Sequence, residues 1–187
     1  RYADQYPEWL ERVSRVAERA AKECLYYNDG PAYTPCCRVS SGVTDDGGFT
    51  YLPALKLSRD PDSPEYSASS EYTCTAVRKM LAPVTGSVVL PADKAEWFSE
   101  PQYTKNGTLR CIRFGGVELT GEQLREALGL RSAAVAITQE HDSFIFRTRG
   151  SGGGVGMSVY TADLMARSGL SAQEILQQFY PGTELID

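Results

Sequence analysis

Five glycines crowd into the seven residues Gly150–Gly156, in the run Gly150-Ser151-Gly152-Gly153-Gly154-Val155-Gly156-Met157-Ser158. A backbone with so few Cβ atoms is costly to order, so such a run belongs where the chain turns with positive φ or passes close to other backbone. The run follows the strand-like Ser143–Arg147 and precedes a helix-like stretch, Thr161–Ser168. In that setting backbone N–H groups can cradle an anion. The nucleotide fingerprints fail, however: there is no GK[ST], and no GxGxxG falls in strand-to-helix register. Gly156-Met157-Ser158-Val159-Tyr160 has the first half of a GxSxG nucleophile elbow, with Tyr160 where the last glycine belongs. Two readings stay open: a tight backbone passage under the core, or a cleft wall lined by backbone donors and the Ser158 hydroxyl.

The rest of the chain predicts an α+β fold: one mixed domain with β-hairpins and several short helices. Pro7 opens a helix whose apolar residues Leu10, Val13, Val16, Ala17, Ala20 and Cys24 recur at 3- and 4-residue spacings. Cys24–Tyr27 reads as a strand, Asn28-Asp29-Gly30 as a turn and Ala32–Ser40 as a returning strand. Thr44–Ser70 is rich in Gly, Pro, Asp and Ser and predicts a long loop anchored by Phe49, Tyr51, Leu52, Leu55 and Leu57. A short helix follows from Thr73/Cys74 to Leu81, stopped by Pro83. Lys105–Thr108 is a hairpin turn before the strand Leu109–Phe114. Thr120 with Gln123, and Ser171 with Glu174, form capping boxes that mark two helix starts. Ala133–Thr138 and Ser143–Arg147 alternate as a hairpin around Gln139–Asp142.

With 19 basic and 24 acidic side chains the net charge is 19 − 24 = −5, which argues against a nucleic-acid binder working by field alone. Hydrophobic residues at 42% and charged residues at 23% exclude wholesale disorder. No apolar run approaches the ~18 residues of a membrane helix. The five cysteines include no CxxC pair. They read as small buried hydrophobes, with a soft-metal site at Cys36 and Cys37 as the alternative; no metal or cofactor is expected. The single histidine, His141, falls at the predicted hairpin tip, so a Ser–His or Cys–His scheme has no other base to draw on.

The tail Gly150–Leu185 resembles the stage II sporulation protein D / amidase enhancer family, whose pattern is close to GxGHGVGMSQYGAxxMAxxG followed by ILxxYYPGTxL. Gly121–Ser132 is similar to that family's SGxELRxxLGLRS, and Tyr27–Gly30 with Val39–Thr44 to its YNGxP…SGGxT segment. Tyr51-Leu52 and Ser63–Tyr66 follow in order. The resemblance makes residues 1–187 a single domain of this family. It implies an extracytoplasmic, peptidoglycan-directed protein of spore-forming bacteria, located in the cell wall or the intermembrane space of the sporulating cell. Its expected partners are glycan strands and a cell-wall amidase or another sporulation protein, with no nucleic acid. The family's better-known members are lytic transglycosylases acting on glycan strands stripped of peptide: one glutamate protonates the glycosidic oxygen, and the muramyl 6-hydroxyl closes to a 1,6-anhydro end. That chemistry needs a carboxylic acid held protonated near neutral pH.

Against that pattern the family's catalytic-glutamate helix, ExLKAQAVAARTY, has no counterpart in Arg1–Lys22. Its GHG histidine is Gly153, its MSQY glutamine is Val159, and its Ser-Gly-Gly reads Ser41-Gly42-Val43. The expectation is therefore a degenerate member that binds glycan or a partner without a catalytic acid of its own. The alternative is an active lytic transglycosylase whose N-terminal part is missing from this chain. Ser40, Ser41, Thr44, Ser151, Gly154, Ser158 and Tyr160 are the expected glycan-binding residues of a cleft. Asp45-Asp46, close to that cleft, is the least implausible replacement acid.

Overall fold

The computed structural model describes residues 7–20 and 23–186; residues 1–6, 21–22 and 187 lie outside the described part of the chain. The fold is α+β, with five α-helices and eleven short strands among the described residues.

One hydrophobic cluster is built by two antiparallel three-stranded sheets and two helices. The strands β4 (Ser67–Thr73), β9 (Ser143–Arg149) and β8 (Val135–Glu140) pair in that order, as do β5 (Phe98–Tyr103), β6 (Leu109–Phe114) and β7 (Val117–Thr120). The helices are α2 (Cys74–Thr85) and α3 (Gly121–Ala127). Val77, Leu81, Phe114, Leu119, Leu124, Leu128, Phe144 and Phe146 are buried between them. Phe98 sets its edge against Phe144 at 5.1 Å and 87°, a geometry that suits the ring quadrupoles.

A second cluster holds Leu25, Tyr51, Leu52, Leu57, Ile175, Phe179 and Tyr180. It gathers β1 (Cys24–Tyr27) with its neighbours β2 (Gly30–Pro31) and β11 (Glu184–Ile186), the 44–57 loop, and the helices α4 (Val159–Arg167) and α5 (Ala172–Phe179). The glycine-rich run leaves β9 in the first cluster and enters α4 beside the second. On the way, β10 (Met157–Ser158) pairs in parallel with β3 (Cys36–Cys37).

Local signals held where bonding is local. Both capping boxes are complete, with Thr120 and Ser171 as the N-caps of α3 and α5. The 141–142 turn carries His141 at φ 50°, exposed. The structure differs at four places. Of the strand expected over Ala32–Ser40 only Cys36–Cys37 forms, with Gly30–Pro31 a separate short strand before it, because Pro31 and Pro35 cannot donate to a ladder. The end of the expected 44–70 loop is the start of β4, whose serines and alanine carry little apolar alternation. α2 continues through Pro83 to Thr85, at the loss of the one hydrogen bond Pro83 cannot donate, and ends at Gly86, whose N–H bonds the Ala82 carbonyl. Helix α1 (Pro7–Ala20) forms, yet Leu10, Val13 and Val16 remain 41%, 40% and 62% exposed.

Candidate functional site

The loop between the clusters is organised by a residue that no spacing pattern flagged. Asp60 opens a short 3-10 turn with Pro61 and is fully buried. Its carboxylate accepts hydrogen bonds from the Ser40 amide at 2.7 Å, the Ser158 hydroxyl at 2.9 Å and the Thr161 hydroxyl at 2.5 Å. A buried carboxylate is tolerable only when its lone pairs are filled in this way. Ser158 is also the N-cap of α4, accepting from the Thr161 amide. One side chain therefore joins the 40–44 loop, its own turn and the start of α4. The Asp-Pro dipeptide is a turn signal, but nothing in it announces partners at 40, 158 and 161.

The glycine-rich run is pinned on both sides. Gly150 sits at φ 77°, and a Cβ there would lie 2.7 Å from the Val39 carbonyl oxygen. At Gly156, φ 76°, a Cβ would land on the Pro35 carbonyl oxygen. That same oxygen accepts from the Tyr180 hydroxyl at 2.6 Å, and the hydroxyl in turn accepts from the Met157 amide. Burial pushes the Tyr180 phenol up to about 12. The tight-passage reading thus describes the ends of the run.

Its middle is different. Gly153 is exposed, has an ordinary φ, and would meet no atom within 4 Å of an added Cβ. Val159, at 46% exposure, presents its side chain to solvent. The two positions where the family pattern carries histidine and glutamine are accessible surface.

The seven expected glycan-binding residues divide by depth. Ser40, Thr44 and Ser158 are buried, at 1%, 0% and 0% exposure. Thr44 accepts from the Leu55 amide, and its carbonyl accepts from the Asn106 side chain at 2.9 Å. Ser41, Ser151, Gly154 and Tyr160 are half-buried and reachable. Ser151 pairs backbone with Val39, and the Gly154 carbonyl accepts from the Asp45 amide. Tyr160 lies in a separate depression with Arg38, Glu65 and Asp163. The structure thus joins Ser40 to Ser158 through Asp60, sets Thr44 and Gly154 on either side of Asp45, and leaves Tyr160 apart.

The carboxylates near the run are engaged. Asp45 accepts from the Asn106 amide nitrogen at 3.0 Å, and exposed Asp46 accepts from the Gly48 amide at 2.7 Å, an Asx-type turn. Cys37 is buried against Gly152; burial, then the neighbouring Asp60 and Cys36, push its thiol up to about 12. Cys36 is exposed. Among the described residues no three His, Cys, Asp or Glu side chains gather as a metal site requires. No helix among them is long and apolar enough to cross a membrane.

A cavity of about 590 Å³ opens beside the glycine-rich run, on the outer face of the β4–β9–β8 sheet, lined by Ser67, Ser69, Tyr103, Gly107, Arg147 and Arg149 among others. Sequence reading passed over it, because each of these residues is an ordinary strand or turn position and only the sheet register brings them together.

No protein-family model matches the chain. It is 27% identical to the stage II sporulation protein D of Bacillus subtilis (strain 168) and 25% identical to that of Bacillus amyloliquefaciens, in each case over 98% of this chain and 54% of the relative. The chain thus spans about half the length of these curated relatives. The matches cover both clusters and the loop that Asp60 ties together, as well as the ordered motifs of the tail. Over nearly its whole length the chain is thus similar to stage II sporulation protein D.

Proposed function

We propose that this is a sporulation-associated, extracytoplasmic protein that binds peptidoglycan glycan strands along the exposed glycine-rich face, and that the described residues supply no general acid. The observation that carries this reading is the pair Gly153 and Val159. Both are accessible, and neither has a side chain that can donate a proton or hold a sugar hydroxyl. The carboxylates within reach do not replace them, since Asp60 is sealed from solvent by three donors and Asp45 and Asp46 hold loop structure. What the face offers is backbone, the Ser41 and Ser151 hydroxyls, Gly154 and, in its own depression, Tyr160. Such a surface suits a neutral polyhydroxylated chain held by many weak contacts.

Titration calorimetry with chitin oligosaccharides tests the reading. Saturable binding, weakened by Ser151→Trp on the exposed run, supports it. Heat no greater than dilution, with capture of a cell-wall amidase or another sporulation protein, would move the assignment to a protein-binding scaffold.

The relatives' greater length favours a second reading. In it the complete protein is a lytic transglycosylase, and a general acid from sequence outside these 187 residues acts on a strand held here. Cleavage to 1,6-anhydro ends by a longer form, abolished by removing one upstream glutamate, would favour it.

A further inference from the structure

The two main sheets have four edges, and three of them are protected. An edge strand presents unpaired N–H and C=O groups, which folds blunt with bulges, proline, short strands or a covering element. β5 carries Pro101, Glu100 at φ 50° and a register irregularity against β6. β7 has four residues and runs directly into α3. On β8 the Val135 carbonyl accepts from the Tyr103 hydroxyl at 3.2 Å, and Phe98, Pro101 and Tyr103 close one hollow with Ile137 and Gln139. The fourth edge, β4, has none of these devices. It runs seven residues, Ser-Ala-Ser-Ser-Glu-Tyr-Thr, in unbroken register with β9.

The register says which groups of β4 are free. At one end the Gly150 N–H bonds the Tyr66 carbonyl, and at the other the Cys74 N–H bonds the Asp142 carbonyl. Even-numbered residues therefore face β9. An antiparallel ladder alternates, so the N–H and C=O of Ser67, Ser69 and Glu71 point away from it. Among the described residues no other strand, loop or cap bonds to those groups, and all three residues are exposed. Phe144 and Phe146 of neighbouring β9 are buried in the core, which holds the edge in place.

The charges beside this edge complement each other about Ser70. Arg147 pairs with Ser69 across the ladder, so the two share the outer face, and Glu71 is on that face one rung along. Arg15, Arg38, Arg59, Arg113, Arg125 and Arg167 each hold a carboxylate. Arg147 reaches only the Thr138 hydroxyl, at 3.3 Å, and among the described residues neither it nor Glu71 has an ion-pair partner. A second β4 laid antiparallel about a two-fold axis through Ser70 sets Ser67 opposite Thr73 and Ser69 opposite Glu71. That register uses the whole strand and brings free backbone groups against free backbone groups. The partner's Glu71 then stands across Ser69 from Arg147, about 10 Å away over two strand spacings. An arginine and a glutamate side chain together span that gap, and serine between them is too small to block it. The two-fold axis makes the contact twice.

We propose that two copies of this chain pair through β4, antiparallel about Ser70, joining their three-stranded sheets into one continuous sheet in which Arg147 of each copy meets the partner's Glu71. The pairing does not use the glycine-rich run and stands apart from the glycan reading.

Sedimentation equilibrium between about 1 and 100 µM tests it: the mass should rise from that of one chain toward that of two. Ser69→Pro removes an N–H that bonds nothing within the chain, so this variant should stay monomeric and melt with the dilute wild-type protein. Glu71→Arg keeps the backbone intact and should weaken the dimer at least about tenfold; adding Arg147→Glu should restore it. A monomer throughout the range overturns the inference, even where the edge takes up a strand from another protein. A dimer that survives both single substitutions overturns it too, as does one that the charge exchange fails to restore.

Discussion

Asp60 and Ser158 lie 98 residues apart in the sequence and meet in a 2.9 Å hydrogen bond inside the protein. The bond fixes the exit of the glycine-rich run, because Ser158 is also the N-cap of α4. It fixes the 40–44 loop as well, since the same carboxylate accepts from the Ser40 amide. The geometry of the candidate face therefore depends on a residue that never touches solvent.

Asp60→Ala should be among the most damaging substitutions in the chain. It strips the Ser40 amide and two hydroxyls of their acceptor, a loss of about 3 kcal/mol or more. Thermal unfolding should fall by at least about 6 °C. Asp60→Asn keeps the shape and one acceptor oxygen, and should lose clearly less. Calorimetric melts of the two variants check the order.

Ser158→Ala separates support from contact. Removing the cap costs about 1 kcal/mol, and one lone pair of Asp60 is left empty. Because Ser158 has no exposed surface, affinity for a glycan should be unchanged once the protein is folded. Reduced affinity at an unaltered melting temperature would place this hydroxyl in contact with ligand.

Two glycines of one run should respond oppositely. Gly156→Ala drives a methyl group into the Pro35 carbonyl at φ 76° and should prevent correct folding or lower the melting temperature severely. Gly153→Ala has open space and an ordinary φ, so it should be neutral or stabilising by about 0.4–1 kcal/mol through the unfolded chain. Measuring both by thermal denaturation tests the description of the run as pinned at its ends and open in its middle.

Alkaline pH should weaken the fold. Cys37 rises from 9.0 to about 12 and Tyr180 from 10.0 to about 12 on folding, both chiefly through burial. The folded state keeps protons that the unfolded chain has released, so this contribution is complete below about pH 9 and is lost as pH climbs toward 12. Melting temperatures in reducing buffer should be level to about pH 9 and then decline. Cys37→Ala should make the decline shallower; an unchanged profile would show that the thiol is not held protonated.

What the sequence made legible follows the range of the interactions. The capping boxes at Thr120 and Ser171 and the hairpin tip at His141 depend on bonds spanning two or three residues, so residue type and spacing sufficed. The tail from Gly150 onward pointed to the family through its resemblance to an ordered motif, while the Val39 and Pro35 carbonyls that hold Gly150 and Gly156 in place are remote in the sequence and were not legible. Asp60 was not legible, because its partners stand 20, 98 and 101 residues away. Of the candidate residues, Ser40, Thr44 and Ser158 were singled out by hydroxyls that turn out to face inward. Arg147 and Arg149 were passed over, because their alternation marks a strand equally well whether its outer face meets water or a ligand.

The most direct measurement incubates the protein with peptide-free glycan strands, sediments the strands, and analyses both fractions by mass spectrometry. The account predicts protein retained on intact strands and no 1,6-anhydromuramyl ends above the no-protein control. Accumulation of such ends would show that these 187 residues carry a general acid, and would contradict the account at its centre.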